Sequence, residues 1–149
     1  MITVAGSSYP PVGFYFSVTV GIFISDTTFQ EVSGLNVVLG TEDIKEGGEN
    51  QFIYRLPTPP KYSNLILKRG MVTGSALIDW ARLAVENFTF MPQTVIIQLL
   101  SSNADLPLAA WNVANAYPLS LKVSDFKAQD SNIVIETLEL AFTTLQRLL

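Results

Sequence analysis

The chain has 149 residues, no cysteine, no histidine and a formal net charge of -4, which removes disulfides, thiolate chemistry, Ser-His-Asp and Cys-His catalysis and the common zinc sites. The acidic balance, with a pI near 4.6, argues against a nucleic-acid backbone as the main partner. Charged residues are 15% and apolar residues 48%, with a mean hydropathy of +0.33, against roughly 25% charged in typical soluble domains. A monomer of this composition exposes too much apolar surface, so that surface is buried between subunits or in a membrane.

The length fits a single domain, 1–149, able to bury roughly 70% of its unfolded surface without a staple. Residues 1–12, with Gly6, Ser7, Ser8, Pro10 and Pro11, read as a flexible lead-in. The uncharged run 1–25 is interrupted by Pro10, Pro11, Ser17, Thr19 and Gly21 and is no spanning helix. Its lack of a basic residue, the first being Lys45, is unlike a signal peptide. The expectation is a protein made in the cytoplasm without a signal peptide, and without membrane insertion of the monomer.

From Gly13 the pattern alternates. Phe14, Phe16, Val18 and Val20 take one side and Tyr15, Ser17 and Thr19 the other, which predicts a strand with a core face. A turn at Asp26, Thr27 and Thr28 leads into a second strand bent at Gly34, the two forming a hairpin.

Residues 42–70 concentrate charge, glycine and proline. Glu42, Asp43, Glu46 and Glu49 surround Gly47 and Gly48, which accept positive φ, so the segment reads as an exposed, sharply bent loop. An alternating run follows, with Phe52, Tyr54 and Leu56 opposite Gln51, Ile53 and Arg55, until Pro57, Pro59 and Pro60 take the chain out of the sheet. A strand returns at Asn64–Arg69. The span 43–60 thus reads as an arm between two strands.

The period then changes from two to about 3.6. Leu77, Trp80, Ala81, Ala84 and Phe88 make an apolar stripe, Thr73 or Ser75 is the N-cap, and the helix ends near Asn87. Arg82 is at pairing distance from Asp79 and Glu86. The rest reads as strands at 94–100, 108–117, 120–123 and 132–142, with no internal repeat.

Motifs that carry chemistry are weak. The acidic cluster 42–49 is compatible with a hard cation or a carboxylate pair, but four acids in a glycine-rich loop are ordinarily solvated or interfacial. Gly47-Gly48 lacks the GK[ST] of a phosphate cradle, and the sequon at Asn87-Phe88-Thr89 is of very low specificity. Trp80 and Trp111 read as core rather than stacking platforms. No catalytic residue, cofactor or metal is expected.

Four stretches carry a resemblance, in order: "FQEVSGL" (29–35), "EGGEN" through "LP" to "KYSNLILKRG" (46–70), "WNVANAYP" (111–118) and "IVIETLELAF" (133–142). Together they resemble the tail tube proteins of contractile phages and the inner tube proteins of extracellular contractile injection systems, over roughly residues 13–144. The resemblance implies a mainly β fold, a single barrel or sandwich-like domain with one flanking α-helix and an extended arm. It further implies homo-hexameric rings stacked into a hollow tube. A sheath protein lies outside, baseplate, spike and terminator proteins at the ends, and DNA or protein effectors in the lumen, within a phage tail or an extracellular injection particle. The inter-subunit candidates are then Asp43, Glu46, Gly47, Gly48, Glu49, Asn50 and Arg55 on the arm. Lys68 and Arg69 are either solvated or paired with a neighbour's acidic arm. The lumen-facing candidates are Tyr15, Ser17 and Thr19. The rival reading is a monomeric small-ligand β-barrel with its ligand inside, and a third is a carboxylate-only hydrolase.

Overall fold

A computed structural model describes residues 14–21, 24–45, 53–71, 74–101, 106–125 and 134–149. Strand β1 (Phe14–Val20) turns at Gly21, whose φ of 59° suits glycine and whose amide donates to Thr94 O at 2.8 Å. It pairs with β2 (Ile24–Phe29). The segment expected as a turn at 26–28 is therefore strand, and the hairpin partner is β2 rather than the Gly34 region. Short β3 (Glu31–Ser33) follows. The bend expected at Gly34 is real: φ is 93°, and a Cβ there would collide with Asn64 O.

Strands β4 (Val37–Ile44) and β5 (Tyr54–Tyr62) pair only with each other among the described residues, as a two-stranded ribbon. This corrects the expectation that Pro57–Pro60 takes the chain out of the sheet, because Pro57 sits opposite Thr41 and Pro60 opposite Leu39. A two-stranded ribbon leaves β5 an outer edge, where a missing N–H costs no ladder bond.

β6 (Leu65–Gly70), β7 (Gln93–Ser101), β8 (Ala109–Val123), β9 (Ile135–Ala141) and β10 (Thr144–Arg147) complete the strands. The large sheet runs β2-β1-β7-β8-β9-β6-β3, with β10 also on β8. It curls into a half-barrel pivoting on β8, whose first half pairs with β7 and β10 and whose second half pairs with β9. The two strands expected at 108–117 and 120–123 are one. Pro118 is absorbed at a register shift against β9, and β10, which the sequence reading did not include, extends β9's pairing along the same strand.

The bulge in β8 is set by Asn115, at φ 55°. Val113 and Ala116 are three residues apart and would face opposite ways in a regular strand, yet both are 0% exposed. The left-handed residue between them resets the alternation. Asn115 Nδ2 donates to Thr143 Oγ1 at 3.1 Å, and Thr143 N donates to Ala114 O at 3.0 Å.

The core lies on one face of the curled sheet: Phe16, Val18 and Val20 of β1, Val95 and Ile97 of β7, Leu65 and Leu67 of β6, Leu138 and Leu140 of β9. Phe14 departs from expectation. It is 47% exposed, at the strand's start beyond the core, edge-on to Phe16 at 6.0 Å.

Helix α1 (Ala76–Asn87) follows from the 3.6 period and a serine cap, the Ile78 amide donating to Ser75 Oγ. Leu77, Trp80 and Ala81 join the same cluster as the strands, so the flanking helix completes the core. Trp80 Nε1 donates to Met91 O at 2.9 Å. Phe88, expected on the stripe, instead terminates the helix in the left-handed conformation and is 83% exposed. Arg82 Nε donates to Glu86 Oε1 at 3.1 Å, and this bond, with the carboxylate's charge, raises the guanidinium pKa above its ordinary value. No helix among the described residues is long and apolar enough to cross a membrane.

Candidate assembly surfaces

Three surfaces are built by the fold, and each collects residues expected from the sequence with others that were not. The first is the ribbon β4–β5. Val38 is 61% exposed and its neighbour Leu39 57% exposed. Consecutive strand residues point to opposite faces, so both faces of the ribbon are uncovered. Leu56 and Tyr54 are exposed on the facing strand. Apart from Tyr62, which meets the Phe142 ring at 5.4 Å, the ribbon packs chiefly on itself.

At its outer end Asp43 and Arg55 face each other in register, with Oδ1 and Nε 3.5 Å apart and both side chains exposed. Glu46, Gly47, Gly48, Glu49 and Asn50 lie outside the described residues. The exposed apolar residues of β4 belong to the same ribbon, and sequence reasoning centred on charge missed them. The run Val37-Val38-Leu39 was the available signal.

The second surface is the outer face of β3, β6, β9 and the second half of β8. In register it lines up Glu31, Lys68, Thr137 and Lys122, with Glu139 on the same face two residues along β9, opposite Ile66 and Ser120. Lys68 Nζ lies 4.0 Å from Glu31 Oε2. Glu139 accepts from Asn64 Nδ2 at 2.9 Å and Ser120 Oγ at 3.2 Å. A shallow groove of about 470 Å³ runs past Gln30, Glu31, Lys68, Lys122, Ser124 and Thr137. Arg69 points the other way. It is 1% exposed, its Nε 3.7 Å from Glu136 Oε2, and its guanidinium lies over the Phe29 ring at 4.6 Å. It is engaged within its own protomer and presents no surface to a neighbour.

The third surface is the outer face of β1, β7, the first half of β8 and β10. Tyr15, Ser17 and Thr19 stand opposite Leu100, Gln98 and Ile96 of β7. Ile96 and Gln98 stand opposite Asn112 and Ala110 of β8, and Asn112 opposite Gln146 of β10. Ser17 is 7% exposed, packed among these neighbours, while Tyr15 and Thr19 are half-buried. The expected trio thus belongs to a larger face that includes Gln98, Asn112 and Gln146. Alternation along "QTVIIQLLS" was the signal for Gln98, but pairing to β1 is invisible locally.

Among the described residues the inward face is filled, Val18, Val95, Ile97, Val113, Leu67 and Leu140 each being 0% exposed. That counts against a small-ligand barrel.

The family model described as T4-like virus tail tube protein gp19 matches residues 12–146. The chain belongs to that family. This tail tube protein also resembles solved structures. One is of the anti-feeding prophage (AFP) baseplate, 6-fold symmetrised, at TM-score 0.77 and 27% identity, covering 95% of this chain and 97% of that one. Another is of the sheath–tube complex of an extracellular contractile injection system, PVC, in its extended state, at TM-score 0.77 and 26% identity, covering 95% and 93%. Hcp1 from Flavobacterium johnsoniae shares the fold at TM-score 0.59 and 16% identity, covering 89% and 94%. No curated protein matches the chain in sequence. The mainly β architecture with one helix and the role of a structural tube subunit follow from the family and these likenesses.

Proposed function

We propose that six copies of this tail tube protein close into a ring, and that rings stack into a hollow tube through the β4–β5 ribbon. The observation that carries the reading is the ribbon itself: two strands with apolar residues on both faces, packed chiefly on each other. An isolated two-stranded hairpin is marginal in water, and a patch of this kind on a soluble chain marks a protein interface. A second copy laid against it buries Val38, Leu39 and Leu56 and stiffens the joint. The likeness to a 6-fold symmetrised assembly supports the ring number, and the likeness to a sheath–tube complex supports a sheath outside the tube.

In this reading the charged second surface, with Lys68 and Lys122 flanking its groove, receives the acidic arm of a neighbour, including Asp43, Glu46 and Glu49 beside Gly47, Gly48 and Asn50. The uncharged third surface, with Tyr15, Ser17 and Thr19, lines the channel. Baseplate and terminator proteins bind the tube ends, cargo occupies the lumen, and the particle is a phage tail or an extracellular injection machine. The tube contributes rigidity from apolar burial and shared sheet edges, and no group is assigned to catalysis.

The test replaces residues 46–50 with a short neutral linker and, separately, substitutes Val38 and Leu39 by serine. Both variants should keep the β-rich circular dichroism of the parent while electron microscopy shows rings or protomers in place of tubes. Unchanged tubes in both would overturn the ribbon as the stacking joint.

A further inference from the structure

Resting on the tube reading above, we propose that the channel wall is electroneutral, so that the tube passes cargo without regard to the sign of its charge. The face formed by β1, β7, the first half of β8 and β10 carries no formally charged side chain among the described residues. Its polar groups are hydroxyls and amides: Thr144 and Gln146 are exposed, Thr19, Gln98 and Asn112 are half-buried, and Ser17 is buried beneath them. The opposite sheet is different: its outer face places Glu31, Lys68, Lys122 and Glu139 within four paired strands. The separation holds even within β10. Arg147 is opposite Trp111, on the core side, with its guanidinium 5.8 Å from the Trp111 ring, while Gln146 takes the uncharged face.

The physical consequence follows from confinement. Fixed charges lining a narrow channel with low-dielectric walls build a potential of several kT that concentrates one sign of cargo and excludes the other. A polypeptide carries both signs, so either kind of charged wall would hold part of it, whereas hydroxyls and amides exchange hydrogen bonds with water at little net cost. A polyanion would need carboxylates to hold it off the wall, and hydroxyl and amide side chains are themselves common donors to phosphate oxygens. The cargo this wall fits is therefore polypeptide of either net charge.

The chain has no cysteine, so a single thiol placed on this face reports its local potential. Gln98→Cys and, independently, Thr19→Cys are assembled and checked for tubes by electron microscopy. They are then reacted with a cationic trimethylammonium and an anionic sulfonate methanethiosulfonate reagent, each rate being divided by that for a free thiol. A neutral wall predicts corrected rates within about threefold of each other, at both low and high salt. Cationic labelling faster by about tenfold or more, collapsing at high salt, would reveal a wall of carboxylates suited to a polyanion and would overturn the proposal. The same excess for the anionic reagent would overturn it equally. Labelling in tubes as fast as in protomers, whatever the tube length, would place this face outside the channel and overturn the wall assignment while leaving the tube intact. Absence of tubes from the parent chain would instead overturn the tube reading.

Discussion

Arg69 and Glu136 face each other across β6 and β9, their side chains 2% and 7% exposed, with Nε and Oε2 3.7 Å apart. A guanidinium this deep is tolerable because the carboxylate offsets its charge and the Phe29 ring stacks beneath it. Such pairs are costly to break and weak as net stabilisers, since removing one partner strands a buried charge. Glu136→Ala should therefore destabilise the protomer by about 3 to 5 kcal/mol in urea unfolding, whereas Arg69→Met with Glu136→Leu should fall within about 1 kcal/mol of the parent or above it. Equal losses in the single and double variants would mean that the pair contributes packing alone.

Trp80 is 4% exposed and bonds Met91 O, so its ring and its N–H make separable contributions. Trp80→Ala should cost about 3 to 5 kcal/mol, as other buried aromatics do. Trp80→Phe, which keeps most of the apolar area, should lose about 0.5 to 1.5 kcal/mol for the hydrogen bond in addition to a small packing term. Chemical denaturation of an assembly-blocked form separates the two. A loss well under 1 kcal/mol for the alanine variant would contradict core placement.

Gly34 has φ of 93°, and its missing Cβ leaves room for Asn64 O. This is the corner where β3 hands over to the ribbon. Gly34→Ala adds a left-handed penalty of about 1 to 3 kcal/mol to a backbone collision, and should reduce soluble yield more than Gly74→Ala. Gly74 also has positive φ, 76°, but meets no atom within 4 Å, so the comparison isolates the collision. Similar yields would show that the corner relaxes freely.

Phe88 ends the helix at φ 52° and ψ 35°, 83% exposed, with its ring edge-on to Phe90 at 4.9 Å. A phenylalanine in this conformation costs stability that glycine would return. Phe88→Gly should raise protomer stability by about 1 kcal/mol, less the small aromatic contact. If the exposed ring is used between subunits, the same variant assembles at higher protein concentration than the parent. A stabilised variant with unchanged assembly would limit Phe88 to an ill-suited cap.

Local patterns in the chain settled a good deal. The period of two at 14–20 and of 3.6 at 77–84 identified β1 and α1, because side-chain direction repeats with backbone geometry. Thr73 and Ser75 ahead of Leu77 narrowed the cap to two residues, of which the structure uses Ser75, Gly34 marked the bend, and the ordered blocks from Phe29 to Phe142 the family. Each of these depends on residues a few positions apart or on a pattern carried by the chain itself.

What depended on distant strands was decided by the fold. Proline in β5 reads as an exit from a sheet, and becomes admissible only once the strand is known to have an outer edge. Val113 and Ala116 share a face because Asn115 turns left-handed opposite Thr143, a contact no period reveals. Lys68 and Arg69 are equivalent neighbours in the sequence, yet strand alternation sends one to a surface groove beside Glu31 and the other into the core against Glu136. The uncharged face is likewise a property of register: Ser17, Gln98, Asn112 and Gln146 belong to four strands, and only their hydrogen-bonded alignment makes them one surface.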